Sequence, residues 1–302
     1  MENIFHEILK EICDEMGITY TFLSKDWIVM LEKDGVRRFI SGYKFDTTRH
    51  GFGEMIDDKY AMYDVLSTLG IPIIKHHIVY FENNHNDYAI GCNTYEYLLD
   101  LFHEYHSNIV IKENSGSCGL GVFHITSEDE LATRYQKIRN KYFSFSVCPY
   151  IDIKNEYRCI VVDNKIQLIY KKIRPIVVGD GNSSIGQLLK KFNPRYFENY
   201  QNDEILKKGE VFEYDWRFNL SRGSVSSLDI LDNDRTHISD FINNLNIDIP
   251  FGSVDIVKTT DNEYLLMEIN SGVMMDNFIH QHENGREIAK DIYKKAILEM
   301  FK

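Results

Sequence analysis

The chain has 302 residues, 43% of them apolar, enough for one large domain or two to three modest ones with real cores. Against 34 Lys and Arg stand 46 Asp and Glu, and the net charge of −12 argues against general nucleic-acid binding, because a phosphate backbone demands a basic face. No apolar run approaches the ~20 residues that span a bilayer.

From the N-terminus, MENIFHEILKEICDEMG is acidic and amphipathic and does not read as a signal peptide. Ile4, Ile8, Ile12 and Met16 form one helical stripe, which Gly17 can end. The short runs TYTFL, WIVML and VRRFI read as strands, and Gly42 to Met55, holding TTRHGFG, as a turn-rich stretch. A helix is predicted from about Asp58 to Leu69, closed by Gly70 and Pro72, and a second in NTYEYLLDLFHEYH.

NSGSCGLGVF (114–123) lies between the β-like runs IVIK and VFHI, so its glycines join a hairpin. A Walker loop or a dinucleotide fingerprint requires a helix directly after the loop, so both fail here. Ser127, with Glu130 three residues on, reads as the capping box of the next helix.

EYRCIVV and KIQLIYKK flank the two-residue turn Asp163-Asn164. In that register Glu156 opposes Lys171, with Arg158 on the same face, and taken alone the pairing reads first as an ordinary cross-strand ion pair. Beyond a turn at Gly179 to Gly181 comes a helix from about Ser184. Asn193 to Glu213 is polar and irregular, the composition of a mobile loop. The final helix, Glu283 to Phe301, stacks Ile288, Ile292, Ala296 and Met300.

SVDIVKTTDNEYLLMEINSG carries the most chemistry. With Asp261-Asn262 as the turn, Asp255 lies opposite Glu268, with Cβ atoms ~5 Å apart. Asn270 shares the face of Glu268. Two carboxylates and an amide oxygen so placed repel unless a cation joins them, and oxygen-only ligands suit Mg²⁺, with Mn²⁺ the alternative. Solvent-facing acids on a two-sided hairpin are the competing reading. The five cysteines (Cys13, Cys92, Cys118, Cys148, Cys159) contain no CxxC pair and read as reduced thiols of a cytoplasmic protein. The pairs His76-His77, His103/His106 and His280/His282 lack the partners of a zinc site.

In this order, four blocks resemble the ATP-grasp superfamily, in the branch of glutathione synthetases, glutamate ligases and cyanophycin synthetases. They are DDKYAMYDVLSTLGIP, IVIKENSGSCGLGV, EYRCIVVDNKIQLIYKKIRPIVVGDGNSSIGQLL, and FNLSRGS with VDIVK…LLMEINSG, together spanning about residues 56 to 280. The resemblance implies an α+β fold in which two α+β subdomains grip a nucleotide. Its parts would be a short N-terminal region (1–55), a lid subdomain (56–148) and a C-terminal subdomain with a metal site (149–302).

It also implies roles. Lys59 and Lys112 would contact the α- and β-phosphates of ATP. Ser115, Gly116, Ser117, Gly119 and Gly121 would belong to a lid whose backbone N–H groups approach phosphate. Val147, Cys148, Tyr150 and Ile151 would hold adenine, and Glu156 the ribose. Arg158, Arg222 and Lys171 would face the transferred phosphoryl group or the carboxylate, and Asp255, Glu268 and Asn270 would hold Mg²⁺.

The activity implied is amide or peptide bond formation from a carboxylate and an amine, through an acylphosphate, with release of ADP and phosphate. Amino acids or peptides are the implied substrates, with neither nucleic acid nor membrane as partner, and homo-oligomers are usual in similar ligases. A ligase acting on a peptide or protein end, and a silent ATP-binding scaffold, are the alternatives. The sequence departs from the family pattern in SVCPYI, which lacks the usual acid, and in KEN, where lysine-proline is commoner.

Overall fold

The computed structural model describes residues 3–81, 92, 94–116, 121–139, 141–192, 194 and 197–302. The predicted first helix is α1 (Ile4–Met16), capped by the Asn3 side chain on the Phe5 amide at 3.0 Å and closed by Gly17 at φ 64°. It is followed by the antiparallel meander β1 (Thr19–Leu23), β2 (Ile28–Lys33), β3 (Val36–Ser41) and β4 (Lys44–Phe45). The turn-rich stretch predicted after it instead holds a helix, α2 (His50–Asp57), whose buried Ile56 and half-buried Phe52 and Met55 pack on a core. Two glycines hid that apolar spacing. The next helix, α3 (Lys59–Thr68), is capped by Asp58 on the Ala61 amide at 2.7 Å.

A four-stranded antiparallel sheet follows, in the order β5 (His77–Tyr80), β8 (Ser144–Pro149), β6 (Ile109–Glu113), β7 (Val122–Ile125). Helices α4 (Tyr95–Glu104) and α5 (Glu128–Ile138) cover one face, burying Val79, Ile111, Phe145 and Val147 with Leu98, Leu131 and Tyr135. Residues 117–120, between β6 and β7, lie outside the described residues; Lys112 pairs with Val122 across that hairpin.

The central sheet is antiparallel, in the order β13 (Val225–Ser227), β10 (Lys165–Ile173), β9 (Ile153–Val162), β14 (Phe251–Thr259), β15 (Tyr264–Asn270). A small ribbon of β11 (Ile176–Val178) and β12 (Val211–Glu213) stands apart from it, beside α6 (Ile185–Phe192). The ribbon gives the polar stretch after Asn193 a fixed point, with Gly186 N donating to Asn202 O at 2.9 Å and Gly179 N to Glu210 O at 2.8 Å.

Under one face of the central sheet lie α2, α3 and α7 (Asp232–Asn243), packed on Tyr157, Cys159, Val161 and Ile256. The opposite face divides along the strands. Ile160, Val162, Tyr170 and Phe251 are buried beneath α8 (Asp276–Gln281), α9 (Gly285–Met300) and the N-terminal meander. Further along that face, Glu156, Arg158 and Asp255 emerge from this cover toward the four-stranded sheet. Between the sheets Ile74, Val110, Cys148 and Val257 form a small apolar cluster edged by Tyr150, Ile151, Trp216 and Met267. Among the described residues no helix is long and apolar enough to cross a membrane.

Candidate active site between the two sheets

The acidic hairpin has the predicted pairing, reached by another route. Its turn is one residue longer than two, since Thr259 N donates to Glu263 O at 2.9 Å and Lys258 pairs with Tyr264. A bulge at Met267 then absorbs the extra residue, so Asp255 faces Glu268 and Ser253 faces Asn270.

Asp255 is 2% exposed. Arg158 grips it with Nε on Oδ1 at 2.7 Å and a terminal nitrogen on Oδ2 at 2.6 Å. Burial pushes this carboxyl up, but the Arg158 and Lys172 charges outweigh it and hold it well below the usual carboxylate range.

The neighbouring hairpin corrects a prediction. A bulge at Gln167 shifts β10 by one residue against β9, so Glu156 faces Lys172, and Lys171 pairs with Tyr157 on the other face. Lys172 is 4% exposed and donates to Glu156 Oε1 at 2.5 Å and Asp255 Oδ2 at 2.8 Å. Burial and the Arg158 charge pull its ammonium down, and Asp255 and Glu156 more than restore it. Glu156 is thus an ion-pair partner inside the sheet.

From the other side of the cleft come the two lysines. Lys59 opens α3 and donates to Gly116 O at 2.6 Å and Asn114 O at 3.2 Å. Burial lowers its pKa, while the charge of Glu268 on β15 acts in the opposite sense. Lys59, held at the loop end of β6, therefore lies within range of the charge of Glu268 on β15.

Asn114, 2% exposed, locks this corner: its side chain accepts from Tyr60 N at 3.2 Å and donates to Asp58 Oδ2 at 2.6 Å. Lys112 lies between Ser146 and Val122 in the sheet and shares the cleft face with Val110 and Cys148. Val147 points the other way, into the core beneath α4 and α5, so only its backbone can meet a ligand in the cleft. Tyr150 and Ile151 edge the apolar cluster. Ser115, Gly116 and Gly121 flank the loop, and Ser117 and Gly119 lie outside the described residues.

Arg222 ends a short turn, Leu220–Arg222, that Asn219 caps and Gly223 closes at φ 102°. It lies 3.7 Å from Asp215, which Arg217 also grips at 2.8 and 2.6 Å. Arg217 reaches on to Val122 O at 3.4 Å, joining this segment to β7. Trp216 packs near Tyr150 and His124, with ring centroids 5.8 and 5.7 Å away. Beside these residues, and not over the acidic hairpin, opens a cavity of about 660 Å³ lined by Phe197, Tyr200, Tyr214, Asp215, Trp216 and Arg217 among others.

Sequence reasoning missed Lys172, Asp215, Arg217 and Trp216. The alternation in YDWRFN was the available signal for the last three.

Among the described residues no three His, Cys, Asp or Glu side chains converge as a metal site by themselves. One histidine of each pair is engaged elsewhere: His77 bonds the Tyr105 hydroxyl at 2.6 Å, His103 lies 3.5 Å from Glu128, and His282 bonds Ser226 Oγ at 2.9 Å.

No protein-family model matches the chain. The cyanophycin synthetase of Trichormus variabilis is 25% identical over 205 residues, covering 68% of this chain and 21% of that protein. That of a Nostoc species is 24% identical over the same share. The chain thus spans about a fifth of the length of the curated relatives it matches.

Among solved structures, a bifunctional glutathione synthetase from Pasteurella multocida superposes with a TM-score of 0.54 at 15% identity, over 97% of this chain and 44% of that one. A D-alanine–D-alanine ligase from Bacillus anthracis superposes with a TM-score of 0.51 at 16% identity, over 82% and 66%. These likenesses are of fold, and the fold of this chain is the ATP-grasp fold.

Proposed function

We propose that the chain is an ATP-dependent carboxylate–amine ligase. The observation that carries this reading is the meeting of Lys59 with the charge of Glu268 across a cleft whose other wall holds Lys112. Cations on one side and paired acids on the other suit a polyphosphate with its divalent ion. The names of the relatives, two synthetases and a ligase, support the same class.

In this reading Lys59 and Lys112 neutralise phosphate oxygens. Cys148, Tyr150 and Ile151 supply an apolar bed for the base, with the Val147 backbone beside it. Arg222 and Arg217, steadied by Asp215, stabilise charge at the transferred phosphoryl group or at the carboxylate under attack. Asp255, Glu268 and Asn270 fit a hard cation by donor chemistry, all three being oxygen ligands. Mg²⁺ there, with Mn²⁺ as the alternative, would draw charge from the phosphates. The substrate carboxylate attacks the γ-phosphorus, ADP leaves, and an amine then displaces phosphate from the acylphosphate.

The test is Mg²⁺-dependent release of ADP and phosphate with pooled amino acids or short peptides. One pool should stimulate turnover, and Glu268→Gln should lower it by about two orders of magnitude or more. AMP and pyrophosphate as products, or a Glu268→Gln variant as active as wild type, would overturn the reading. A peptide or protein substrate is the second reading, favoured by the net charge of −12, which suits a basic peptide. A mass shift on that partner would distinguish it.

A further inference from the structure

The bulge at Gln167 gives Asp255 a second cation. Both carboxylate oxygens are engaged, Oδ1 by Arg158 and Oδ2 by Arg158 and Lys172 together. Three of the roughly four acceptor positions of a carboxylate are thereby filled. The Glu268 side chain, directly opposite, makes no hydrogen bond or ion pair among the described residues and meets Lys59 and Arg158 only through its charge.

We propose that Lys172 is the built-in counter-ion of the acidic hairpin, holding Asp255 Oδ2 until a divalent cation arrives together with nucleotide phosphates. This inference rests on the nucleotide-and-metal reading above.

The charges decide it. Glu156, Asp255 and Glu268 bring three negative charges and Arg158 and Lys172 two positive ones, with the Lys59 charge acting on Glu268 as well, so the cluster offers a free cation a net charge of −1 at most. Mg²⁺ dehydrates reluctantly and needs more than that to leave water. A triphosphate brings both the missing charge and the missing oxygens.

Lys172 can release Oδ2 without being stranded in the interior. Its ammonium keeps Glu156 Oε1, 2.5 Å away and as buried as itself. The Glu156–Lys172 pair is therefore the resting place that keeps the exchange reversible. Nucleotide and metal then bind as one unit, and the hairpin does not collect stray divalent ions.

The experiment measures free Mn²⁺ by electron paramagnetic resonance, with and without a non-hydrolysable ATP analogue. It compares wild type, Lys172→Met and the pair Glu156→Gln/Lys172→Met, with folding checked by circular dichroism. The double variant keeps the cluster's net charge and leaves no unpaired buried acid. Wild type should bind Mn²⁺ with the analogue and at least about tenfold more weakly without it. Both variants should bind Mn²⁺ without nucleotide about tenfold more tightly than wild type, and Asp255→Asn added to either should erase that gain.

Nucleotide-free affinities within about twofold of wild type would overturn the proposal. So would a gain confined to Lys172→Met, because net charge and not occupancy of Oδ2 would then be the cause. Wild type that binds Mn²⁺ equally well with and without the analogue would overturn it too. Wild type that binds none even with the analogue would instead sink the metal reading on which it rests.

Discussion

Asp234, on α7, holds the back of the central sheet. It is 2% exposed and accepts from Lys258 Nζ at 2.7 Å, from the Tyr264 hydroxyl at 2.6 Å and from the Tyr157 hydroxyl. Those partners sit on β14, β15 and β9, the strands whose opposite face bears Asp255, Glu268 and Arg158. Burial pushes the carboxyl up, and the hydrogen bonds from Lys258, Tyr157 and Tyr264 overcome it, lowering the pKa from 3.8 to about 2. That depression corresponds to roughly 2 kcal/mol of folding free energy.

Asp234→Ala also leaves Lys258, 9% exposed, without its carboxylate. Stranding one member of a buried pair costs about 3–5 kcal/mol. The ammonium stays 5.3 Å from the Tyr264 ring centroid and near the surface, which favours the low end. A loss of about 3 kcal/mol at pH 7 is expected, lowering Tm by roughly 5 °C for a chain of 302 residues.

The sign with pH follows from the depressed pKa. Asp234 stabilises fully above its unfolded-state pKa, and that contribution fades as pH falls from 3.8 toward 2. Thermal melts at pH 7 read the Tm, and urea unfolding of wild type and variant at pH 7 and pH 3 reads the stability gap. A Tm loss under about 2 °C, or a stability gap equally wide at both pH values, would refute the reasoning.

Lys171→Met should leave ADP release within about twofold of wild type, because Lys171 faces away from Glu156; a tenfold loss would mean the shifted register is wrong. The chain has two tryptophans, and Trp27 is 63% exposed, so Trp27→Phe leaves Trp216 as the sole reporter beside Tyr150. Titration with an ATP analogue should change its emission saturably. An unchanged spectrum at saturating analogue would place the base elsewhere.

Much of the architecture was legible because its signals are local. The apolar stripe of α1 and the Gly17 that ends it lie within one segment, as do Gly70 behind α3 and the turn residues Asp163-Asn164. The strands TYTFL and VRRFI announce themselves by composition and alternation. The helix α2 escaped because Gly51 and Gly53 weaken its propensity, and packing on the sheet overrides them.

Pairing across strands was legible only in part. Counting outward from a two-residue turn placed Asp255 opposite Glu268, and it does lie there, through a longer turn and a bulge that cancel. The same counting failed one hairpin earlier, where nothing cancels the bulge at Gln167. A bulge arises where side chains on both faces of a sheet must each reach their own layer, so the chain on either side of it cannot announce it.

Legible in the sequence were most of the elements in their order, the acidic hairpin with its facing carboxylates, and the lysines at the start of α3 and near the end of β6. Only the tertiary structure decided that Lys172 and not Lys171 enters the site, and that Asp215 gathers Arg217 and Arg222. It alone brought Lys59 within reach of the charge of Glu268. Helix ends and strand alternation depend on neighbours in the chain, whereas these contacts, Asp215 with Arg217 excepted, join residues from 7 to more than 200 positions apart. Only the closing of two sheets on one another brings the most distant of them together.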